Sequence, residues 1–428
     1  MKKKLLKLPD RFSHWLGIPV LIGLSLIAQY AAADAGDTFN LTVGSTLLYD
    51  SNVFRLSPIA NPAFFTGKDT RSDQVVTSSA TLSVNKFYSM QRFELNASLV
   101  DNRYSNFDFL NFLGKNGTAA WHWSLTPYLH GKLSGSHREA LNNFADLTGF
   151  QNSTNRNLRT DDNVRFDAVL ELDGAWRIIG GVAYDVRKNS RITIQDFDNR
   201  VFSVEGGVRY ERPSGSSLTY KVRSGSGEFF KREQPLENQL FDTRFDDMEH
   251  DLRLLWPVTG KASIDARAGY FTRKHAHFPQ RDFDGFVGNL NLNWAVTEKT
   301  RITASWARNL GNFQTAPNSF LNSPFFDRFS SSYAATHHFF FSPVWQITRK
   351  TALRLRYDYI LRDYLGAVIS LPSEHRTDSQ HSGLIALDWQ PLNALFISGA
   401  LQRDHRSSNV RGFNFDSAAA SISARINF

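Results

Sequence analysis

The sequence is defined first by what it lacks, beginning with cysteine, which is absent. The chain therefore has no disulfide, no lipid anchor on an amino-terminal cysteine and no thiolate chemistry. After residue 28 it also lacks any apolar stretch of the roughly 20 residues that a membrane-spanning helix needs. A strong charge of one sign is missing too, because the net charge of +8 is small and scattered, which argues against a nucleic-acid partner.

The amino terminus has the three parts of a secretory signal peptide. Basic residues between Lys2 and Arg11 precede an apolar stretch at residues 16–28, and Ala33-Asp34-Ala35 matches a cleavage signal. A membrane anchor is the alternative, but the apolar stretch is too short to span a bilayer. We therefore predict that residues 1–35 are a cleaved signal peptide and that the chain is exported. The mature chain would then carry 44 basic and 39 acidic residues, a net charge of +5.

The last fifteen or so residues, 414–428, alternate between apolar and mostly polar positions, as a strand with one face in lipid would. The apolar positions are Ala418, Ala420, Ile422, Ala424, Ile426 and Phe428. A strand that ends the chain on an aromatic residue resembles the terminal signal that the barrel-assembly machinery of the bacterial outer membrane recognises. The resemblance implies that this machinery is a partner through the strand ending at Phe428.

The same period of two recurs in about eighteen segments after residue 36. The clearest are residues 39–50, 92–100, 164–172, 202–211, 262–273, 286–294, 351–361 and the terminal strand. Short connections with turn residues, such as 213–215, alternate with long ones, such as 51–72. This pattern predicts an all-β fold, an antiparallel transmembrane barrel of about 18 strands with short periplasmic turns and long extracellular loops.

Tryptophan and domain length fit the same fold. Trp121, Trp123, Trp176, Trp256, Trp294, Trp345 and Trp389 all lie next to predicted short turns, where an aromatic girdle at the periplasmic interface is expected. The barrel begins a few residues after the cleavage site, which leaves no room for a plug domain. We therefore predict a single barrel domain over residues 36–428, located in the outer membrane among its lipids and lipopolysaccharide.

Charged residues of both signs occupy the positions that face the lumen in this register. Such a surface can orient polar solutes, and guanidinium groups match carboxylates of acidic sugars, but the charges can also simply pair with one another. The candidate residues of the solute path are Arg92, Glu94, Arg165, Asp167, Glu171, Glu205, Arg209, Lys221, Arg223, Asp265, Arg267, Arg354, Arg356 and Asp358, with Arg177, Asp185 and Arg187 in the same set.

The predicted long loops are rich in phenylalanine. These rings can cover the apolar faces of sugars, or they can pack on one another as a lid. They are Phe54, Phe64, Phe65, Phe229, Phe230, Phe313, Phe320, Phe325, Phe326 and Phe329.

A run of carboxylates could hold Ca²⁺ through its oxygen atoms. The run is Asp242, Asp246, Asp247, Glu249 and Asp251. It matches no defined calcium loop, so solvated loop charge is the favoured interpretation.

Two further groups of residues could in principle form a catalytic or a metal site. Ser379 and His381 share one, lipid-facing side of a predicted strand, where a serine nucleophile and a base could act, but no third group can be assigned to orient the histidine. His337 and His338 are adjacent, so in a strand they point to opposite faces and cannot share a metal. The sequence therefore predicts no catalytic residue, metal or cofactor, and a protein that is not an enzyme.

Two stretches resemble one protein family. Residues 49–55, Tyr-Asp-Ser-Asn-Val-Phe-Arg, resemble a segment near the start of the EpsL-type outer-membrane proteins, which belong to exosortase-associated exopolysaccharide gene clusters. Asn116-Gly117 with Ala120-Trp121 and Trp123 is similar to that family as well. The resemblance implies a part in exopolysaccharide synthesis or export, as a conduit for the polymer, with periplasmic export components as further partners.

Other functions stay open at this point. A general diffusion porin for small polar solutes, a scaffold of the export complex that does not conduct, and a lipid-modifying enzyme of the outer membrane are all compatible with the same barrel.

Overall fold

Residues 38–142, 144, 156–172, 174–232, 242–313, 331–366 and 375–428 are described by the computed structural model. Their backbone forms eighteen strands in one sheet, and the predicted fold and strand number are confirmed. The strands are β1 Phe39–Asp50, β2 Asp73–Tyr88, β3 Gln91–Tyr104, β4 Phe112–Thr126, β5 Leu129–Leu141, β6 Leu158–Glu171, β7 Trp176–Asn189, β8 Asn199–Glu211, β9 Ser217–Glu228, β10 Arg244–Thr259, β11 Ala262–His275, β12 Phe283–Ala295, β13 Thr300–Asn312, β14 Tyr333–Thr348, β15 Thr351–Leu365, β16 Thr377–Trp389, β17 Leu395–Ser408 and β18 Phe415–Asn427. A short helix, α1, spans Pro62–Thr66, and short 3₁₀ turns occupy Asp108–Leu110, Ile192–Phe197 and Pro279–Arg281.

The sheet closes on itself. Each strand pairs antiparallel with its neighbours in the chain, and β1 pairs with β18 along nine positions from Thr42↔Asn427 to Asp50↔Ala419. Phe428 completes the seam, because its backbone N–H donates to the Leu41 carbonyl at 2.8 Å and its carbonyl accepts a hydrogen bond from the Leu41 N–H at 3.0 Å. A closed barrel leaves no unpaired strand edge, which is the condition for a β-sheet to lie in lipid.

Side chains alternate across the barrel wall as the sequence predicted. On β8, Phe202, Val204 and Val208 are about half exposed on the outer face, whereas Ser203 is buried on the inner one. The same outward row of exposed apolar residues continues through Leu252 on β10, Leu290 on β12 and Leu355 on β15. A soluble protein does not expose apolar residues on every strand, so this band is the lipid-facing surface of an outer-membrane type of barrel.

Short turns and long loops lie at opposite ends of the barrel, as predicted. The β8–β9 turn contains Gly215 at φ +81°, a left-handed conformation that glycine adopts without strain. Long loops connect β1 to β2 and β17 to β18 at the other end. We call these the short-turn end and the long-loop end. In the described part of the chain, no helix has both the length and the apolar character to cross a membrane.

The tryptophan girdle is present at the short-turn end, with one exception. Trp121, Trp176, Trp256, Trp294, Trp345 and Trp389 are 41–52% exposed on the outer face. Trp123 was expected among them but is only 7% exposed. Its ring lies across Gly131, which has no side chain to displace it, and stacks on Phe166 with ring centroids 5.5 Å apart.

The amino-terminal prediction lies outside the described residues, which begin at residue 38. The signal peptide and its cleavage after Ala35 therefore stay predictions. Strand β1 begins at Phe39, close to the proposed mature amino terminus.

Candidate functional site

The candidate site is the inner face of the barrel between β6 and β12, where charged side chains form a network. Arg165 on β6 binds Asp167 at 2.8 Å and also contacts Glu205 on β8. Glu205 accepts a second bond, from Lys221 on β9 at 3.1 Å. The network thus joins charges of opposite sign on β6, β8 and β9, and Glu205 is held by cations from the other two strands.

A second part of the network is centred on Glu249 of β10. Its carboxylate accepts a hydrogen bond from Arg223 of β9 at 2.7 Å and contacts Arg267 of β11. Arg267 also donates to Asp251 at 2.6 Å. Nearer the short-turn end, Arg253 and Asp265 form a bidentate pair at 2.7 and 2.9 Å.

Glycine makes room for the cross-strand pairs. The ion pair between Arg165 and Glu205 passes over β7, where the inward position is Gly181. A Cβ at Gly181 would lie 2.7 Å from Asp167 Oδ1 and 2.9 Å from the Phe166 carbonyl oxygen. Gly269 has the same role beside Asp251, whose Oδ1 would lie 2.6 Å from an added Cβ. A side chain at either position would push the network apart.

A cavity of about 850 Å³ lies against this wall. Six of its lining residues are cations and five are carboxylates, and Asn289 and Asn291 of β12 add neutral amides. Five of the six cations have a carboxylate within 4.0 Å. Within the residues that the structure describes, Arg209 is the exception, and its Nε donates to Thr219 Oγ1 at 3.3 Å. The wall is therefore highly polar, yet its charges nearly cancel.

The predicted path residues outside this cavity also face the lumen, in several separate groups. Glu94 on β3 contacts Arg92 and His122, and Glu171 on β6 contacts His130 and Arg177. Asp358 on β15 binds Arg356 at 2.6 Å and His338 at 2.8 Å. Arg354 reaches Asp388 of β16 at 3.2 Å. The inner face thus collects all the predicted path residues but does not bring them into one site.

The adjacent histidines separate as predicted. His338 faces the lumen and Asp358, whereas His337 accepts a hydrogen bond from the indole N–H of Trp306 at 3.4 Å on the outer face. Among the described residues, no three histidine or carboxylate groups converge in a way that could hold a metal ion.

The acidic run was wrongly interpreted as solvated loop charge. Asp247, Glu249 and Asp251 belong to β10, face the lumen and bind arginines. The physical reason for the error is that two outward positions of this part of β10 are polar, Asp246 and His250. The alternation of polar and apolar residues that marks a strand is therefore weak there. Met248, Leu252 and Leu254 were the available signal.

Sequence reasoning also missed several lining residues of the cavity. Arg253 follows in the same inward row of β10 as Glu249 and Asp251, and Asn289 and Asn291 lie at successive inward positions of β12. The alternation with Leu290 and Leu292 could have identified the asparagines, but an uncharged amide does not stand out by composition.

Loops at the long-loop end pack into one buried apolar cluster, which we call the cap. It comprises Phe54, Leu56, Ala60, Phe65, Phe107, Leu110, Ala334, Tyr364, Val410 and Phe413. The rings of Phe54 and Phe107 meet edge to face at 4.8 Å, and Phe313 meets Tyr364 at 4.6 Å. Around the barrel, these residues come from the strands and loops that run from β13 through the β1–β18 seam to β6. The cap therefore lies over one side of the barrel.

The loop phenylalanines therefore pack on one another, as one of the two interpretations proposed. Phe54 and Phe65 are buried in the cap, and Phe229 packs on Phe245 at 5.3 Å. Phe64, by contrast, is 42% exposed. Phe320, Phe325, Phe326 and Phe329 lie outside the described residues.

The first family-like stretch anchors the cap. Asp50 at the end of β1 accepts two bonds from Arg55 at 2.7 and 2.9 Å and one from Ser417 Oγ at 2.8 Å. The Asn52 amide donates to the carbonyls of Leu56 and Asp416, both at 2.9 Å. Arg55 has φ +53°, a strained value for a side-chain-bearing residue that these bonds hold in place. The stretch turns the chain back so that Phe54 enters the cap.

A second anchor holds the loops near β9 to β12. Asp242 is fully buried and accepts hydrogen bonds from the backbone N–H groups of Arg244, His277 and Phe278 and from the His277 ring. Burial opposes ionisation, but these hydrogen bonds outweigh it, and the pKa of Asp242 lies below its usual value. The carboxylate therefore ties the start of β10 to the β11–β12 loop.

Comparisons with known proteins show a likeness of structure alone. No protein-family model and no curated protein matches the chain. Among solved structures, Pseudomonas aeruginosa OccK1 (OpdK) is similar, with a TM-score of 0.47 and 12% identity over 91% of this chain and 99% of that one. Acinetobacter baumannii OccAB3 has a TM-score of 0.47 and 8% identity over 92% and 100%. Pseudomonas aeruginosa OccK2 (OpdF), solved with glucuronate, has a TM-score of 0.49 and 9% identity over 91% and 98%. Solute and function therefore have to follow from the residues of this chain.

Proposed function

We propose that the chain is an outer-membrane channel through which small hydrophilic solutes diffuse along the wall formed by β6 to β12. The observation that carries this proposal is the cavity of about 850 Å³, lined by the charged network and the neutral amides of Asn289 and Asn291. An 18-stranded barrel is wide enough to hold an aqueous channel. The cap is built from residues on the other side of the barrel.

Charge balance indicates which solutes the wall favours. Because the cations and carboxylates are nearly equal in number and mostly paired, their fields cancel a short distance from the wall. The channel then discriminates weakly between small cations and anions. Hydroxyl-rich solutes can exchange their water for the amides and guanidinium groups, which suits neutral and weakly charged sugars.

The function in the lumen is physical passage, without covalent chemistry. The guanidinium and carboxylate groups there are engaged with one another, and solute transfer needs only that they rearrange as it passes. The proposal places the protein in the outer membrane, reached by export through the predicted signal peptide.

A second candidate is a conduit or docking barrel for exopolysaccharide. The resemblance of residues 49–55 to the EpsL-type proteins favours it, and in this chain those residues anchor the cap. A polymer would have to pass beside the cap or displace it. A scaffold of the export complex that does not conduct is the third possibility, and it requires no opening at all.

Planar-bilayer recording and liposome swelling separate these candidates. We expect the purified barrel to give stepwise conductance and to admit monosaccharides and disaccharides while excluding long oligosaccharides. Passage of long oligosaccharides, together with loss of secreted polymer in a deletion strain, would support the exopolysaccharide conduit instead. A correctly folded barrel without conductance above the lipid baseline would contradict both channels and leave the scaffold.

A further inference from the structure

The outer face of the barrel carries a polar cluster that the channel function does not use. His405 and Ser407 lie on β17, two positions apart, and both are exposed on the lipid-facing side. Asp416 of β18 is the direct cross-strand neighbour of His405 and contacts its Nδ1 at 2.9 Å. A histidine held by a carboxylate at Nδ1 keeps Nε2 available as a base, and a serine lies on the same face of the same strand.

The neighbouring strand offers a comparison within the same surface. Ser379 and His381 of β16 pair directly with Ser407 and His405, so both serines and both histidines share the outer face. The Nδ1 of His381, however, shares its hydrogen bond with the hydroxyl of Tyr357 at 2.7 Å, and the ring stacks on Tyr359 at 4.6 Å. Of the two histidines, His405 is therefore the one whose Nδ1 contacts a carboxylate, although the sequence alone had suggested His381 as the base.

The cluster lies where the outer surface changes from apolar to polar. Along β17 the outward residues are Ile397, Gly399 and the 60% exposed Leu401, followed by Arg403, His405 and Ser407. That change marks the boundary between hydrocarbon and headgroups at the long-loop end. The ester bonds of membrane lipids lie near this boundary, and Arg403, His405 and Ser407 follow one another along β17 on its polar side.

An apolar groove lies on the membrane side of the cluster, and its lining residue on β17 nearest to His405 is Leu401. It has a volume of about 760 Å³ and is lined by Leu47, Leu353, Ile385, Leu387, Leu401 and Ile422. Gly399 forms part of its floor, and a Cβ there would meet nothing within 4 Å, so the missing side chain creates the depression. Facing hydrocarbon, such a groove fits one occupant, the acyl chain of a membrane lipid.

We propose that Ser407, His405 and Asp416 form a site that hydrolyses acyl esters of outer-leaflet lipids. Ser407 Oγ attacks the ester carbonyl carbon while His405 Nε2 accepts the hydroxyl proton. The carbon–oxygen bond to the lipid alcohol then breaks, and His405 returns the proton to that alcohol. Water attacks the acyl-serine, His405 accepts a proton from the water, and the fatty acid leaves as Ser407 regains its hydrogen.

Charged neighbours have supporting roles in this step. Asp416 is a positioning residue, because it holds the imidazole in the tautomer that leaves Nε2 free and stabilises the imidazolium that forms. Arg403, which is largely exposed on the same face and lies 3.8 Å from Asp416, is placed to neutralise the oxyanion.

Fatty-acid release from phospholipid in mixed detergent micelles tests the proposal on the full barrel. We expect release by the native chain and a loss of about 100-fold or more in Ser407→Ala and in His405→Ala, the scale of losing a nucleophile or its base. Asp416→Ala should lose at least about tenfold, and Asp416→Glu should recover part of that loss, which a purely structural role would not predict. Ser379→Ala is the matched control and should retain full activity.

A covalent probe provides a readout independent of turnover. A long-chain alkyl sulfonyl fluoride should label Ser407 in the native chain and fail to label it in His405→Ala, with both barrels shown to be folded by circular dichroism. Absence of fatty-acid release and of labelling in a folded native barrel would overturn the proposal, as would labelling of Ser379. Neither result depends on solute passage, so the channel and the lipid site can fail separately.

Discussion

At the scale of single residues, the lumen owes its character to charges that are paired rather than free. Arg165, Lys221 and Arg267 each contact a carboxylate from another strand. Such partly exposed pairs contribute little to stability, but they fix the position of each charge along the wall. Selectivity then depends on the few groups that remain available to a solute.

Arg209 is one of the groups that remain available to a solute. Replacing it by glutamine, Arg209→Gln, removes the cation of the cavity that has no carboxylate partner among the described residues. We expect the ratio of chloride to potassium permeability to fall roughly twofold, because the remaining charges are balanced. Reversal potentials in a salt gradient measure this ratio. Lys299→Gln, an exposed charge in the β12–β13 turn, is the control, and an equal shift in both variants would contradict the assignment.

A substitution at Gly181 tests whether the charged network requires a residue without a side chain at this position. In Gly181→Val the added side chain would collide with Asp167 Oδ1 and with the Phe166 carbonyl. We expect a loss of about 1–3 kcal/mol in the free energy of unfolding, the usual cost of overpacking. Urea titration of the barrel in detergent measures it. Gly206→Ala on the outer face, where a Cβ meets nothing within 4 Å, should change stability little. Similar losses in both variants would refute the steric explanation.

At the scale of elements, strands were predictable and loops were not. The strand prediction for residues 39–50 matches β1 at both ends, because alternation there is unbroken between clear turn signals. The part of β10 at the long-loop end was not predicted as a strand, because Asp246 and His250 take the place of apolar residues on its outer face. The cap joins residues as distant as Phe54 and Phe413, and no local pattern encodes such contacts. Its phenylalanines could be identified, but their partners could not.

The β1–β2 loop provides a direct test of the cap. Phe54→Ala removes a ring buried against Phe107 and Phe144, and we expect it to cost the cap about 3–5 kcal/mol. The loosened cap should appear as larger or noisier single-channel conductance. Ile59→Ala, which removes an exposed side chain five residues further along the same loop, should leave the recordings unchanged. Identical traces for the native chain and Phe54→Ala would show that the cap does not restrict the lumen.

Asp242 makes the loops near β10 sensitive to acid. Since the pKa of its carboxyl is below the ordinary value of 3.8 in the folded barrel, its hydrogen bonds stabilise the loops fully above that pH. The stabilisation is lost as the pH falls below 3.8 towards the folded pKa. The protection factors of the His277 and Phe278 amides against hydrogen exchange should therefore fall in this acid range. In Asp242→Asn they should be low already at neutral pH. Protection factors that do not change with acid in the native chain would contradict this assignment.

At the scale of the whole molecule, one alternation organises two surfaces with different chemistry. The inward residues of β6 to β12 form a hydrophilic wall. The outward residues of β15 to β18 and of β1 line a lipid-facing groove, and His405 and Ser407 lie further along β17, towards the long-loop end. The sequence predicted the inward set because charges there stand out against apolar neighbours. It did not predict the groove or the role of Asp416, since both depend on which strands lie side by side at the seam.

The most direct test of this account uses single cysteines, which are possible because the native chain has none. Asn289 lines the cavity and Leu290, the next residue of β12, is exposed on the outer face. During single-channel recording, a hydrophilic charged thiol reagent should reduce the current stepwise through Asn289→Cys and leave Leu290→Cys unchanged. Block through Leu290→Cys, or no effect at Asn289→Cys despite a conducting barrel, would contradict a water-filled lumen behind a lipid-facing wall.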